Sequence, residues 1–149
     1  MRNSLTPDGK VLKLFVSRKS DVQRSPQESI IVDGDGVLGD KFYAKDTQRS
    51  ILLTSIDSYQ MAEKENITMP YGSLGENILI DYNPYGLRSG AIVTIGSVVL
   101  EISQNCTLCK SLTKVNAKLP KLLKNDRGVF VKVLEGGTIG IGDIVSVGH

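Results

Sequence analysis

Glycine punctuates this chain: it supplies 15 of the 149 residues, and the apolar runs between glycines are mostly too short for helices. Runs that alternate apolar with polar residues and stop at glycine read as half-buried strands. Val11 to Val16 is the first, with Leu12, Leu14 and Val16 on one face. Ser29 to Val32, Arg49 to Thr54, Ile78 to Ile80 and Val129 to Leu134 follow, then Thr138 to Ile141 and Ile144 to Val147. Gly90 to Ile95 and Val98 to Ile102, joined by Gly96-Ser97, read as a hairpin. Ser55 can cap a helix from Ile56 to about Glu65, with Ile56, Tyr59 and Ala62 toward the core and Asn66 or Met69-Pro70 ending it. About eight strands with one to three short helices imply a mainly β fold, a closed or nearly closed β-barrel, because closure removes exposed edges.

A chain of 149 residues suits a single domain, 1–149, with its core from about Val11 to Val147. At that size folding buries roughly 70% of the unfolded surface. The N-terminus is polar from Met1 to Lys10, and no apolar run approaches the roughly 20 residues that a membrane span requires. A cytoplasmic protein is expected, without a membrane partner. A net charge of +2, few aromatics and no Trp argue against a nucleic-acid surface. The run Asp33 to Asp40 carries three glycines and three aspartates and reads as tight turns. As a calcium loop it fails, since position twelve from Asp33 is Ala44 rather than glutamate.

Chemistry concentrates in Ile102-Ser-Gln-Asn-Cys106-Thr-Leu-Cys109-Lys110-Ser-Leu112, which holds both cysteines at the end of a strand. Beyond it, Leu112, Val115, Leu119 and Leu122 fall at helical spacing, and Pro120 divides the run into two short helical pieces. Lys110, Lys114, Lys118, Lys121, Lys124 and Arg127 stand there against Asp126, a local basic excess beside the thiols. Structural zinc lacks ligands, with two thiols and His149 in the whole chain. A reactive dithiol remains open, because a C-x-x-C at a helix start, near lysines, lowers a thiol pKa. So does the plain alternative of two small buried hydrophobes. Asp40, Arg49, Glu76, Asn77 and Arg127 lie at strand ends or in glycine loops and are further candidates. Each also has a structural reading: Asp40 and Asn77 bonding turn amides, Glu76 capping or pairing with Arg49, Arg127 as a surface charge before a strand.

The order of motifs resembles a known family. Gly39-Asp40, Arg49-Ser-Ile-Leu-Leu, Leu74-Gly-Glu76-Asn77-Ile78, Leu87-Arg-Ser-Gly90 and Ile95-Gly96 are followed by Leu100-Glu-Ile-Ser, Cys109-Lys-Ser-Leu, Arg127-Gly-Val-Phe and Gly136-Gly-x-Ile-x-x-Gly142-Asp143. That ordered set, from Val11 to Val147, is similar to the MOSC domain, the C-terminal module of molybdenum cofactor sulfurases. The resemblance implies a strand-rich barrel that handles molybdenum cofactor (molybdopterin) or sulfane sulfur through one cysteine, as metal ligand or persulfide carrier. Cys109, before Lys-Ser-Leu, matches that cysteine better than Cys106, which becomes a resolving thiol. Asp40, Arg49, Glu76, Asn77, Lys110 and Arg127 would then bind the cofactor, its phosphate resting on Arg49, Lys110 or Arg127. The resemblance implies one of two activities: delivery of cofactor or sulfur to a partner enzyme, or molybdenum-dependent reduction of N-hydroxylated compounds with an electron-donor protein; dithiol redox chemistry of Cys106 with Cys109, read from the C-x-x-C spacing, stays open beside them. An association with pyridoxal phosphate binding is implied as well. Where small relatives carry a histidine after the Gly-Asp and a proline before the cysteine, this chain has Lys41-Phe42-Tyr43 and Leu108.

Overall fold

A computed structural model describes residues 8–18, 25–106 and 116–148. In chain order the strands and helices are β1 (Gly9–Val16), β2 (Ser25–Gln27), β3 (Ser29–Asp33), β4 (Gly36–Val37), β5 (Ile51–Ser55), α1 (Ile56–Lys64) and β6 (Ile78–Ile80). Then come β7 (Ile92–Ile95), β8 (Val98–Asn105), α2 (Leu119–Leu122), β9 (Val129–Glu135), β10 (Gly137–Gly140) and β11 (Ile144–Val147).

Seven strands close a barrel in the order β11-β7-β8-β9-β5-β6-β1, with β1 pairing back onto β11 through Gly9↔Val145. Closure satisfies the backbone groups that edge strands would expose. β2 hangs on β1, and β10-β3-β4 form a second small sheet. Within the ring β5 and β6 alone run parallel, and α1 is the crossover that a parallel pair requires.

Alternation directs the packing. Val98, Leu100 and Ile102 of β8 point into the barrel, where they meet Leu14, Ile51 and Leu53. β5 and β6 are buried at every position because their outer faces are covered too. There Tyr59 and Ala62 of α1, Leu74, Leu79, Leu119 and Leu123 form a second apolar cluster.

The expected helix is present. Ser55 Oγ accepts the Asp57 N–H at 3.0 Å, and the helix ends at Lys64, beyond which Asn66 adopts φ 60°. Pro120 sits in the first turn of α2, as its spacing predicts; Leu112, Val115 and the first helical piece lie outside the described residues. In β1 the register shifts between Val11 and Lys13, so Val11 and Leu14 enter the barrel while Leu12 packs against the outer cluster instead. β2 and β4 go beyond the sequence reading: β2 carries Pro26 on a sheet margin, and β4 is two residues long within the aspartate-glycine turns.

Candidate functional site

β8 delivers the thiol segment. It pairs with β9 as far as Asn105↔Val129, and the Cys106 N–H then donates to the Gly128 carbonyl at 2.9 Å. Cys106 is buried at 4% exposure. Cys109 and Lys110 lie outside the described residues, between Cys106 and Asn116. Where the description resumes, Asn116 Oδ1 accepts the Lys118 N–H at 2.9 Å, and Leu119 and Leu123 dock on the α1 cluster. Lys118, Lys121 and Lys124 are exposed, and Lys118 and Lys121 with Glu65 and Leu122 line a shallow hollow of ≈ 370 Å³ between the helices.

Arg127 differs from a surface charge. Only 7% exposed, it donates through Nε to the Leu74 carbonyl at 2.9 Å, and its own carbonyl accepts from Thr54 Oγ1 at 2.9 Å. Substitution of Arg127 therefore acts on a buried group. Beside it Gly75 has φ 89°, and a Cβ there would lie 3.3 Å from Arg127 Nη2. The loop 71–76 thus passes close under the guanidinium.

Glu76 is fully buried in the same region. Its Oε2 accepts the Tyr59 hydroxyl at 2.6 Å and the Gly72 N–H at 3.1 Å. Tyr59 is edge-on to Tyr71, with centroids 5.0 Å apart. Burial, followed by the Glu76 charge and the hydrogen bond to it, raises the Tyr59 phenol pKa and keeps it a donor. Glu76 thus meets Tyr59 rather than Arg49. The Arg49 guanidinium carbon lies 5.2 Å from the Phe130 ring centroid on the barrel wall.

Asp40 and Asn77 lace strands together. Asn77 Oδ1 accepts the Leu52 N–H at 3.1 Å, while Nδ2 donates to the Phe15 carbonyl and to Asp40 Oδ1, each at 3.3 Å. Asp40 Oδ1 also accepts the Ser17 N–H at 2.8 Å, and Oδ2 accepts the Phe42 N–H at 3.1 Å. One amide and one carboxylate therefore fix the end of β1 against the starts of β5 and β6. Glu76 and Asn77, adjacent in sequence, link this lacing to the Tyr59 group.

Two residues without a site role in the sequence reading belong here. Tyr59 reads from its spacing only as an apolar helix position, yet its hydroxyl anchors Glu76. Ser103 is the extra residue of a bulge, since Ile102 pairs with Val131 and Gln104 with Phe130. Its Oγ approaches the Gln48 carbonyl closely and the Phe130 carbonyl at 3.1 Å. No local sequence signal marks a serine as the bulge.

Among the described residues, no three His, Cys, Asp or Glu side chains gather to hold a metal. Nor does any described helix have the length and apolarity to cross a membrane.

Comparison with known proteins agrees with this architecture. The MOSC domain profile matches residues 32–146. The fold is similar to the YuaD protein of Bacillus subtilis, at TM-score 0.81 and 16% identity over 93% of this chain and 94% of that one. It is similar also to YiiM of Geobacillus stearothermophilus, at TM-score 0.77 and 16% identity over 95% and 75% of the two chains. YiiM of Escherichia coli gives TM-score 0.69 and 15% identity over 94% and 70%. No curated protein matches in sequence. Pyridoxal phosphate binding finds no support in these matches. With a profile match over most of its length, this chain belongs to the MOSC domain family.

Proposed function

We propose that this protein binds molybdenum cofactor through the segment that follows β8, with Cys109 as the thiolate ligand and Arg49 and Lys110 facing the cofactor phosphate. The family is associated with molybdenum-cofactor binding. The observation that supports the reading is the fastening of Cys106 to Gly128, which holds the first of the two cysteines at the end of a barrel strand, beside the entry of β9. When bound, the cofactor would supply a redox-active metal, and this chain's part is to ligate, orient and exclude water.

The buried groups serve as frame in this reading. Asp40 and Asn77 hold strand ends; Glu76 and Arg127 hold the loop 71–76 and the start of β9. Lys118 and Lys121 place positive charge in the hollow they share with Glu65, just past the end of α1. The partner is a cytoplasmic enzyme that receives the cofactor or, if the bound metal turns over N-hydroxylated compounds, a protein that donates electrons.

Sulfur carriage is the second reading, and the neighbouring thiol Cys106 favours it. A persulfide on Cys109 hands its outer sulfur to an acceptor nucleophile and leaves Cys109 as thiolate. Alternatively Cys106 thiolate attacks the inner sulfur, which forms the Cys106–Cys109 disulfide and expels the outer sulfur as hydrosulfide. Metal analysis and cyanide-labile sulfur of protein purified from a cofactor-producing host separate the readings. Molybdenum near one per chain is expected; labile sulfur without molybdenum would replace the first reading by the second.

A further inference from the structure

Ser103 interrupts a strand that otherwise alternates. Before it, Ile102 faces the barrel interior opposite Val131; after it, Gln104 pairs with Phe130 and Asn105 with Val129. An unbulged β8 would place Gln104 opposite Val129, so the extra residue reverses which face each following side chain presents, including Cys106 opposite Gly128. Ser103 is also where a separate piece of chain is attached. Its hydroxyl meets the carbonyl of Gln48, the residue before Arg49, and the carbonyl of Phe130, over whose ring the Arg49 guanidinium lies at 5.2 Å. On the other side Ser89 Oγ donates to the Ser103 carbonyl at 2.9 Å.

We infer that Ser103 is a positioning residue, whose hydroxyl fixes Arg49 in place relative to Cys106, three residues downstream. The inference rests on the cofactor reading above and adds a residue that no motif marks. Arg49 is the cation that meets the anionic group; Ser103 acts through it. Arginine stacked on an aromatic ring and held by its own backbone loses little freedom on meeting a phosphate, so release of that backbone weakens the contact without removing the charge.

The test uses the full chain, produced in a host that makes the cofactor, with molybdenum per chain and thermal midpoint both measured. Ser103→Ala and Arg49→Gln should each lower molybdenum roughly tenfold, the usual scale for loss of a supporting hydrogen bond around a ligand. The double variant should fall no further than Arg49→Gln alone, because both changes remove one contact. Ser103→Thr, which keeps the hydroxyl, should retain more than half of the metal. Ser103→Gly answers the same question if Ser103→Ala does not fold. Full molybdenum in Ser103→Ala with a lowered midpoint, or losses that add in the double variant, would overturn the inference and leave the cofactor reading standing. Wild-type protein that carries no molybdenum would overturn both.

Discussion

A buried arginine and a buried glutamate carry the largest residue-scale consequences. Arg127 donates to Leu74 from a site only 7% exposed, and its removal leaves the loop 71–76 without that donor. We expect Arg127→Ala to destabilise the protein by about 3 kcal/mol, the scale for breaking a buried charge contact. Urea unfolding checks this, and a loss under about 0.5 kcal/mol would mark Arg127 as surface after all. Tyr59→Phe should cost about 2 kcal/mol, because it strips the 2.6 Å hydroxyl donor from the buried Glu76 carboxylate. Arg127, Glu76 and Tyr59 could be picked from the sequence as candidates or as a core position, but not as neighbours. Their meeting depends on the β5-α1-β6 crossover, a long-range contact that leaves no local spacing. Ser103 is less legible still, since a bulge is set by pairing with a partner strand that begins 26 residues later, at Val129.

Two elements can be probed without touching the thiols. At the entry to β9 a Cβ on Gly128 would lie 2.7 Å from Thr54 Oγ1 and 2.9 Å from Leu52 Cδ1. Gly128→Ala should therefore destabilise by about 1–3 kcal/mol through overpacking, with a lowered denaturation midpoint as the readout. The turn around β4 is tied by Tyr43 OH donating to Asp33 Oδ2 at 2.6 Å. That bond holds the Asp33 carboxyl below its ordinary value, helped by the Asp35 N–H, and pushes the Tyr43 phenol up from 10.0 to about 12. The depressed carboxyl contributes above pH 3.8 and loses its effect as pH falls through the lowered value. The raised phenol contributes fully below pH 10.0 and loses its effect as pH rises through about 12. The difference between phenolate titrations of wild type and Tyr43→Phe should show the lost tyrosine ionising late, near pH 12; a difference centred at the ordinary phenol pH would contradict the bond. Alternation made β8, β9 and β11 readable, and a serine cap followed by 3.6-residue spacing made α1 readable. β2, β4 and the β1 bulge were not, because three residues with a proline, or two with a glycine, hold no period.

For the whole molecule, the fold class followed from many short glycine-bounded runs, while the closure of β1 on β11 and the parallel β5-β6 pair are topological and leave no mark in any one segment. The ordered motifs pointed to the family, and the profile match over residues 32–146 shows it. What the molecule does with its thiols is the central claim. Cys109 is the proposed ligand, and Cys106 is fastened to β9 through its backbone, a contact that a change of side chain leaves in place. The direct measurement is molybdenum and cyanide-labile sulfur per chain in wild type, Cys109→Ser and Cys106→Ser, purified from a cofactor-producing host. The account predicts molybdenum in wild type, its loss in Cys109→Ser and retention of most of it in Cys106→Ser. Equal loss in both variants would point to a dithiol in which neither cysteine works alone, and equal retention in both would contradict the claim outright.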